Sequence, residues 1–85
     1  MSVPFELGGS VAALTGAGSG IGRSTALALA KHGASVVVSD IDAARAEETA
    51  ALVRAGGGEA VATRVDVAFD GDLERLRDLC LDRYG

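Results

Sequence analysis

The sequence predicts an α/β fold on a parallel sheet, with strands and helices alternating as βαβαβα. Short continuous apolar runs alternate with segments of helical periodicity, and glycine-rich stretches separate them. Because crossovers between parallel strands are right-handed, the first two helices should share one face of the sheet and the last helix the other. This is the first half of a doubly wound sheet, in which the first strand is left as an unpaired edge.

Composition limits the size of the fold and its possible partners. The 85 residues suffice for one short domain, so residues 1–85 are expected to form a single partial domain. The formal net charge of −4 argues against nucleic acids and anionic membranes as main partners. The longest uncharged run, Leu7–Gly22, contains six glycines and is too short to span a bilayer. No secretory signal is apparent, and the lone Cys80 cannot form an internal disulfide or a zinc site, which predicts a cytoplasmic location without a metal centre.

The first βαβ unit is predicted within about thirty residues. Apolar runs at Ser10–Thr15 and Ala34–Ser39 indicate strands covered on both faces. Between them, Gly20–His32 is predicted as a helix that ends at Gly33, a glycine suited to the left-handed C′ position. Four residues lie on one side of this helix: Ile21, Thr25, Ala28 and Leu29.

The alternation continues with a second helix and a third strand. Asp42 is placed to cap a helix that runs to about Ala55, and three consecutive glycines follow it. Its predicted inner stripe is Ala46, Ala50 and Val53. Glu59–Val67 alternates in the manner of a strand.

Asp70 is predicted to open the last helix. Its buried seam would consist of Leu73, Leu76 and Cys80, spaced three to four residues apart along the chain.

The strongest functional signal is the glycine-rich segment between the first strand and the first helix, Thr-Gly-Ala-Gly-Ser-Gly-Ile-Gly at residues 15–22. A phosphate group bound at a helix N-terminus needs backbone N–H donors at close range. Gly16 can adopt a positive φ in the tight turn, Gly20 removes a Cβ that would block a diphosphate, and Gly22 allows close packing. The spacing is G-x-x-x-G-x-G, which matches neither G-x-G-x-x-G nor a P-loop.

This pattern, T-G-x-x-x-G-x-G after an apolar first strand, resembles the cofactor loop of the short-chain dehydrogenase/reductase family. The resemblance extends from about Leu7 to Gly85 and includes Asp40 after the second strand and Asp66-Val67 after the third. It implies a Rossmann-like fold, a nicotinamide dinucleotide cofactor, and a parent enzyme that interconverts a small-molecule alcohol and ketone as a homo-oligomer.

Asp40 bears on the choice between NAD and NADP. It stands 18 residues after Gly22, about where a carboxylate accepts both hydroxyls of the adenosine ribose. A 2′-phosphate facing this carboxylate would bring like charges together. Members of the resembled family that prefer NADP commonly carry an arginine or lysine at one of two positions, which are occupied here by Ser19 and Ile41. We therefore expect NAD as the cofactor.

The resemblance also implies the remaining contacts with the dinucleotide. Asp66 would accept a hydrogen bond from the adenine amino group, the Val67 backbone would meet the ring edge, and Ile41 would flank the ring. Ser19 and Ile21 would present donors to the diphosphate. The residues alone leave open that Asp66 is only a turn or cap residue.

No catalytic residue is predicted in this chain. The resembled family transfers hydride with a Ser and a Tyr-x-x-x-Lys pair, whereas Tyr84 has no lysine four residues on and the sole lysine is Lys31. The chain would then be an inactive N-terminal fragment of an NAD-dependent enzyme. Two alternatives remain open: a noncatalytic nucleotide-binding or interaction module, and a doubly wound methyltransferase that binds S-adenosylmethionine.

Overall fold

The computed structural model describes residues 9–66, 68 and 70–84. Three strands and three helices alternate along the chain, as predicted. Their bounds are β1 (Val11–Leu14), α1 (Gly20–Lys31), β2 (Ser35–Asp40), α2 (Ala43–Ala55), β3 (Ala60–Arg64) and α3 (Asp70–Tyr84).

The strands form one parallel sheet in the order β1-β2-β3. The central strand β2 is covered on both faces, and Val36, Val37 and Val38 have no exposed surface. The ladder between β2 and β3 ends where Asp40 lies opposite Arg64. The prediction that the third strand reaches Val67 is therefore too long, because the ladder ends at Arg64 and only one further bond, from the Val65 amide to the Asp40 carbonyl, follows it among the described residues. Val67 itself lies outside the described residues.

Helices α1 and α2 pack on the same face of the sheet, as expected from right-handed crossovers. The core beneath them contains Ala17, Ala26, Val36, Val38, Ala46, Ala50, Val53 and Ala60. The predicted inner stripe of α2 is confirmed. In α1, Ile21 is 85% exposed, whereas Ala26, on another side of the helix, is fully buried. The close approach of Gly22 to the preceding loop turns this other side of α1 to the sheet.

Helix α3 lies against the opposite face. Val37, Val65 and Leu76 form a second small core there, and Cys80 packs partly buried at its margin. Burial raises the pKa of the Cys80 thiol. Two of the predicted seam residues thus face the sheet, whereas Leu73 remains 41% exposed.

Strand β1 forms one edge of the sheet, in agreement with the prediction. An apolar groove runs between this edge and α3, lined by Val11, Ala13, Leu73, Leu76, Arg77, Cys80 and Leu81. Across the ranges 9–66 and 70–84, the helices are too short or too polar for any of them to traverse a lipid bilayer.

Candidate functional site

The loop after β1 depends on glycine at two positions for backbone reasons. Gly16 has φ of 63° and Gly20 has φ of 58°, both in the left-handed region that side chains disfavour. The positive φ predicted for Gly16 is confirmed. Space around the position of a Cβ is open at both residues. The strain of the left-handed backbone, rather than crowding within the chain, therefore selects glycine at Gly16 and Gly20.

At Gly22 the reason is crowding. A Cβ on this residue would overlap the carbonyl oxygen of Gly16 and would lie 2.8 Å from the Cα of Ala17. Both are backbone atoms of the loop and cannot move aside as a flexible side chain could. The missing side chain lets the first turn of α1 press directly onto the loop that follows β1.

The N-terminus of α1 is not closed by a side chain. Ser19 is the N-cap residue in extended conformation, and its hydroxyl makes no capping hydrogen bond. The first turn contains no acidic residue that would offset the helix dipole. Ser19 and Ile21 are both exposed. This helix end therefore presents backbone donors and a positive partial charge, the combination that binds an anionic group.

Asp40 lies beside this loop, at the carboxyl end of β2. Its Oδ2 accepts a hydrogen bond from the Gly18 amide at 3.0 Å, and its Oδ1 accepts one from the Asp42 amide at 2.9 Å. These hydrogen bonds, from Asp42 first, hold the pKa of the Asp40 carboxyl below its ordinary value, although partial burial opposes them. The cation of Arg45 lowers this pKa further. Asp40 is thus an ionised carboxylate at neutral pH with a fixed orientation.

Residues that join the loop to its surroundings were missed from sequence. A Cβ on Gly18 would lie 2.7 Å from the Cβ of Arg45 and 2.8 Å from Oδ2 of Asp40. The guanidinium of Arg23 donates to the Gly18 carbonyl. One signal was available for Arg23, because a cation in the first turn of a helix is unfavourable unless something holds it there. For Gly18, the only signal was an additional glycine at a variable position of the motif.

The ends of β1 and β2 are joined directly behind the loop. The buried hydroxyl of Ser39 donates to the Leu14 carbonyl at 2.6 Å. The Ala17 amide donates to the Ser39 carbonyl at 2.9 Å. These two bonds fix the start of the loop against the end of the central strand, so the loop and Asp40 share one rigid base.

Two further predicted contact residues, Ile41 and Asp66, lie at the same edge of the sheet. Ile41 follows Asp40 and is 58% exposed. The Asp40 carbonyl accepts from the Val65 amide at 3.0 Å, which places Asp66 near the end of β2. Asp66 Oδ1 accepts from the Ala68 amide at 3.0 Å, and the Asp66 amide donates to Asp72. Asp66 therefore does form a turn.

The hydrogen bond from the Asp66 amide also affects the Asp72 carboxylate that accepts it. It holds the pKa of Asp72 below its ordinary value. Among the described residues, no cluster of three His, Cys, Asp or Glu side chains could hold a metal ion.

A family model and a curated relative both match nearly the whole length of the chain. The family model for short chain dehydrogenases matches residues 10–85. A 7alpha-hydroxysteroid dehydrogenase of Escherichia coli K12 is 42% identical over 81 residues, which cover 95% of this chain and 32% of that protein. The chain thus spans about a third of the length of this curated relative.

Two solved structures are similar over nearly the whole chain. A 7alpha-hydroxysteroid dehydrogenase in complex with NADH and 7-oxo glycochenodeoxycholic acid superposes with a TM-score of 0.91 at 41% identity, over 94% of this chain and 31% of that one. A short-chain dehydrogenase/reductase of Burkholderia phymatum in complex with NAD superposes with a TM-score of 0.90 at 38% identity, over 95% of this chain and 29% of the other.

Proposed function

The chain belongs to the short-chain dehydrogenase family, and we propose that residues 1–85 are the N-terminal, NAD-binding part of a longer enzyme of that family. The enzyme would interconvert a small-molecule alcohol and the corresponding ketone. The observation that carries the proposal is the ionised Asp40 carboxylate, bonded to Gly18 of the glycine-rich loop. The NADH and NAD complexes of the two similar structures support the same cofactor class.

The glycine-rich loop would hold the diphosphate of the cofactor. The first-turn amides of α1 and the hydroxyl of Ser19 supply donors, and the exposed backbone at Ile21 lies in that turn. Gly16, Gly20 and Gly22 keep the main chain accessible and tightly turned. NAD, when bound, supplies the nicotinamide ring that accepts or delivers the hydride.

Asp40 would bind the hydroxyls of the adenosine ribose. An ionised carboxylate has about four lone-pair positions, and the two amides that Asp40 bonds occupy only two of them. The other two can accept the 2′- and 3′-hydroxyls. A 2′-phosphate would stand about 4 Å from this charge, at a cost of about 1 to 4 kcal/mol per charge pair for effective dielectrics between 80 and 20. NAD is therefore preferred over NADP.

The adenine ring would lie at the ends of β2 and β3. The exposed side chain of Ile41 provides an apolar surface for one ring face. Among the residues that the structure describes, Asp66 is engaged in its turn through one oxygen, Oδ1, so its carboxylate keeps capacity to accept the adenine amino group. The proposed role of the Val67 backbone concerns a residue outside the described ones and rests on the family resemblance alone.

The chemistry of hydride transfer would be carried by residues beyond this chain. We therefore expect the 85-residue chain alone to show no dehydrogenase activity, while the complete enzyme acts on its substrate as a homo-oligomer. A cytoplasmic location is part of the same proposal and rests on the single cysteine, which is compatible with a reducing compartment.

The proposal is tested by titrating the full-length protein with NAD and NADP and comparing two charge-matched variants. Asp40→Asn should weaken NAD binding and narrow the preference for NAD over NADP. Asp42→Asn removes the same charge two residues away and keeps a good N-cap, so it should leave both affinities unchanged. If NAD fails to bind the wild-type protein, or if Asp40→Asn preserves the preference, the ribose assignment is wrong.

A further inference from the structure

Arg23 occupies a position that the helix dipole disfavours. It lies in the first turn of α1, where the positive end of the dipole repels a cation. Its side chain is nevertheless only 25% exposed. A guanidinium drawn away from water in such a place requires strong partners, and the structure shows three of them.

The guanidinium joins the glycine-rich loop to α2. Nε donates to the hydroxyl of Thr49 at 2.8 Å, and Nη2 donates to the Gly18 carbonyl at 2.5 Å. Nη2 also pairs with Glu48 at 2.7 Å. Thr49 is fully buried, so the anchor on the α2 side is rigid. The planar fork of arginine reaches the hydroxyl and the carbonyl at once, which a lysine cannot do.

Gly18 is held from its other side by Asp40. Its amide donates to Asp40 Oδ2, whereas its carbonyl accepts from Arg23. A continuous series of bonds therefore runs from the buried hydroxyl of Thr49 through Arg23 and Gly18 to the carboxylate. The charge of Arg23 is matched by Glu48, so Arg23 acts on Asp40 through the geometry of Gly18.

We propose that Arg23 is a positioning residue for cofactor binding: by fixing Gly18, it orients the Asp40 carboxylate toward the ribose diol without itself touching the dinucleotide. This inference rests on the proposed function, since it names a further determinant of the same site. Loss of the arginine fork should loosen Gly18 and weaken NAD binding even when the fold is retained.

The test compares two arginines in the full-length protein. Arg54 also bonds a backbone carbonyl, that of Ala60 in β3, and pairs with a carboxylate, that of Glu47 within α2, but it lies away from the loop. Arg23→Met should raise the dissociation constant for NAD about tenfold, equivalent to about 1.4 kcal/mol. Arg54→Met should leave it within about twofold, even where both variants lower the melting temperature. Arg23→Lys keeps the charge without the fork and should not restore affinity.

A second measurement is independent of the cofactor. In Arg23→Met, residue-resolved hydrogen exchange should show faster exchange of the Gly18 amide. The Gly57 amide, which donates to the backbone carbonyl of Arg54, should keep its wild-type rate. An unchanged Gly18 rate overturns the inference, as does full recovery of NAD affinity in Arg23→Lys.

The outcomes separate this inference from the proposed function. If Asp40→Asn weakens NAD binding but Arg23→Met does not, the site is correct and the positioning role is wrong. Equal losses of NAD affinity in Arg23→Met and Arg54→Met would also overturn the positioning role of Arg23, because the effect on binding would then be general. If wild-type protein does not bind NAD, the proposed function fails, and the positioning role fails with it.

Discussion

The first two strand-to-helix junctions, β1–α1 and β2–α2, differ in how the N-terminus of the helix is capped. After β2, two residues suffice, and Asp42 caps α2 by accepting from the Arg45 amide at 3.2 Å. After β1, five residues intervene, and Ser19 makes no side-chain cap for α1. One helix end is closed by the chain itself, and the other is left with open backbone donors.

This difference shows how neighbouring junctions can divide a binding task. The closed junction is short and rigid, and it delivers a carboxylate, Asp40, that is already oriented. The open junction has no side-chain cap at the helix end, which is the arrangement that would accept an anion. In the proposed function, the negative carboxylate of Asp40 would bind the sugar diol, and the positive helix end at Gly20 would bind the diphosphate of the same ligand.

The largest expected effect on the free energy of unfolding comes from disturbing the packing of the open β1–α1 junction. Gly22→Ala should lower the free energy of unfolding by about 1–3 kcal/mol, because its Cβ would overlap backbone atoms of Gly16 and Ala17. Gly71→Ala in α3 is the matched control: it meets open space and should be neutral or stabilising. Urea denaturation of both variants measures the contrast. Equal stabilities would mean that the close approach at Gly22 carries no energetic weight.

Backbone strain should come next. Gly20→Ala places a side chain on a left-handed residue and should cost about 1–2 kcal/mol. Gly57→Ala, at φ of 92° after α2, should cost a similar amount. Only Gly20→Ala should also weaken NAD binding, which calorimetric titration would show. Weakening of the same size in Gly57→Ala would make the effect on binding nonspecific.

Substituting the two N-cap residues should affect stability to different extents at the two junctions. Asp42→Ala should destabilise the protein by about 0.5–2 kcal/mol, since it removes the bond to the Arg45 amide. Ser19→Ala should change stability by less than about 0.5 kcal/mol, because there is no capping bond to lose. Thermal melts of the two variants test this order. A larger loss in Ser19→Ala than in Asp42→Ala would contradict the assignment of open and closed ends.

The smallest expected effect is on pH dependence. The pKa of Asp40 is lowered in the folded protein from an ordinary 3.8, first by the Asp42 amide. Its contribution to stability is therefore complete above that ordinary value and is lost as the pH falls through the folded pKa. The stability difference between wild type and Asp40→Asn should be constant between about pH 7 and 5 and should shrink on further acidification. If the stability difference stays constant in strong acid, the hydrogen bonds from the Asp42 and Gly18 amides do not favour the ionised form of Asp40.

Sequence patterns predicted the helices better than the ends of the strands. The start of α2 at Ala43 and the end of α1 before Gly33 follow from local cap and stop residues. The end of β3 depends on how far β2 extends, which no pattern within residues 59–67 reveals. The rotation of α1 depends on the backbone contact between Gly22 and the preceding loop, which the periodicity within the helix does not reveal.

The site was predictable where a single segment carries the signal. The glycine spacing and the aspartate after β2 are read directly from the sequence, although their contacts with a cofactor stay predictions. Arg23 was missed because its hydroxyl partner, Thr49, lies 26 residues away on another helix. The need for glycine at Gly18 likewise comes from Asp40 and Arg45, which only the folded chain brings near it.

Hydrogen-bonded strands in this sheet are always consecutive in the chain, and a single helix separates each pair. Every pairing therefore closes a stretch of polypeptide that contains one crossover helix, so the entropic cost of closure is lower than for strands paired across a longer segment. During synthesis on the ribosome, β2 can join β1 as soon as α1 has emerged, and β3 can follow in the same order. The proposed dinucleotide site would then take shape early in translation.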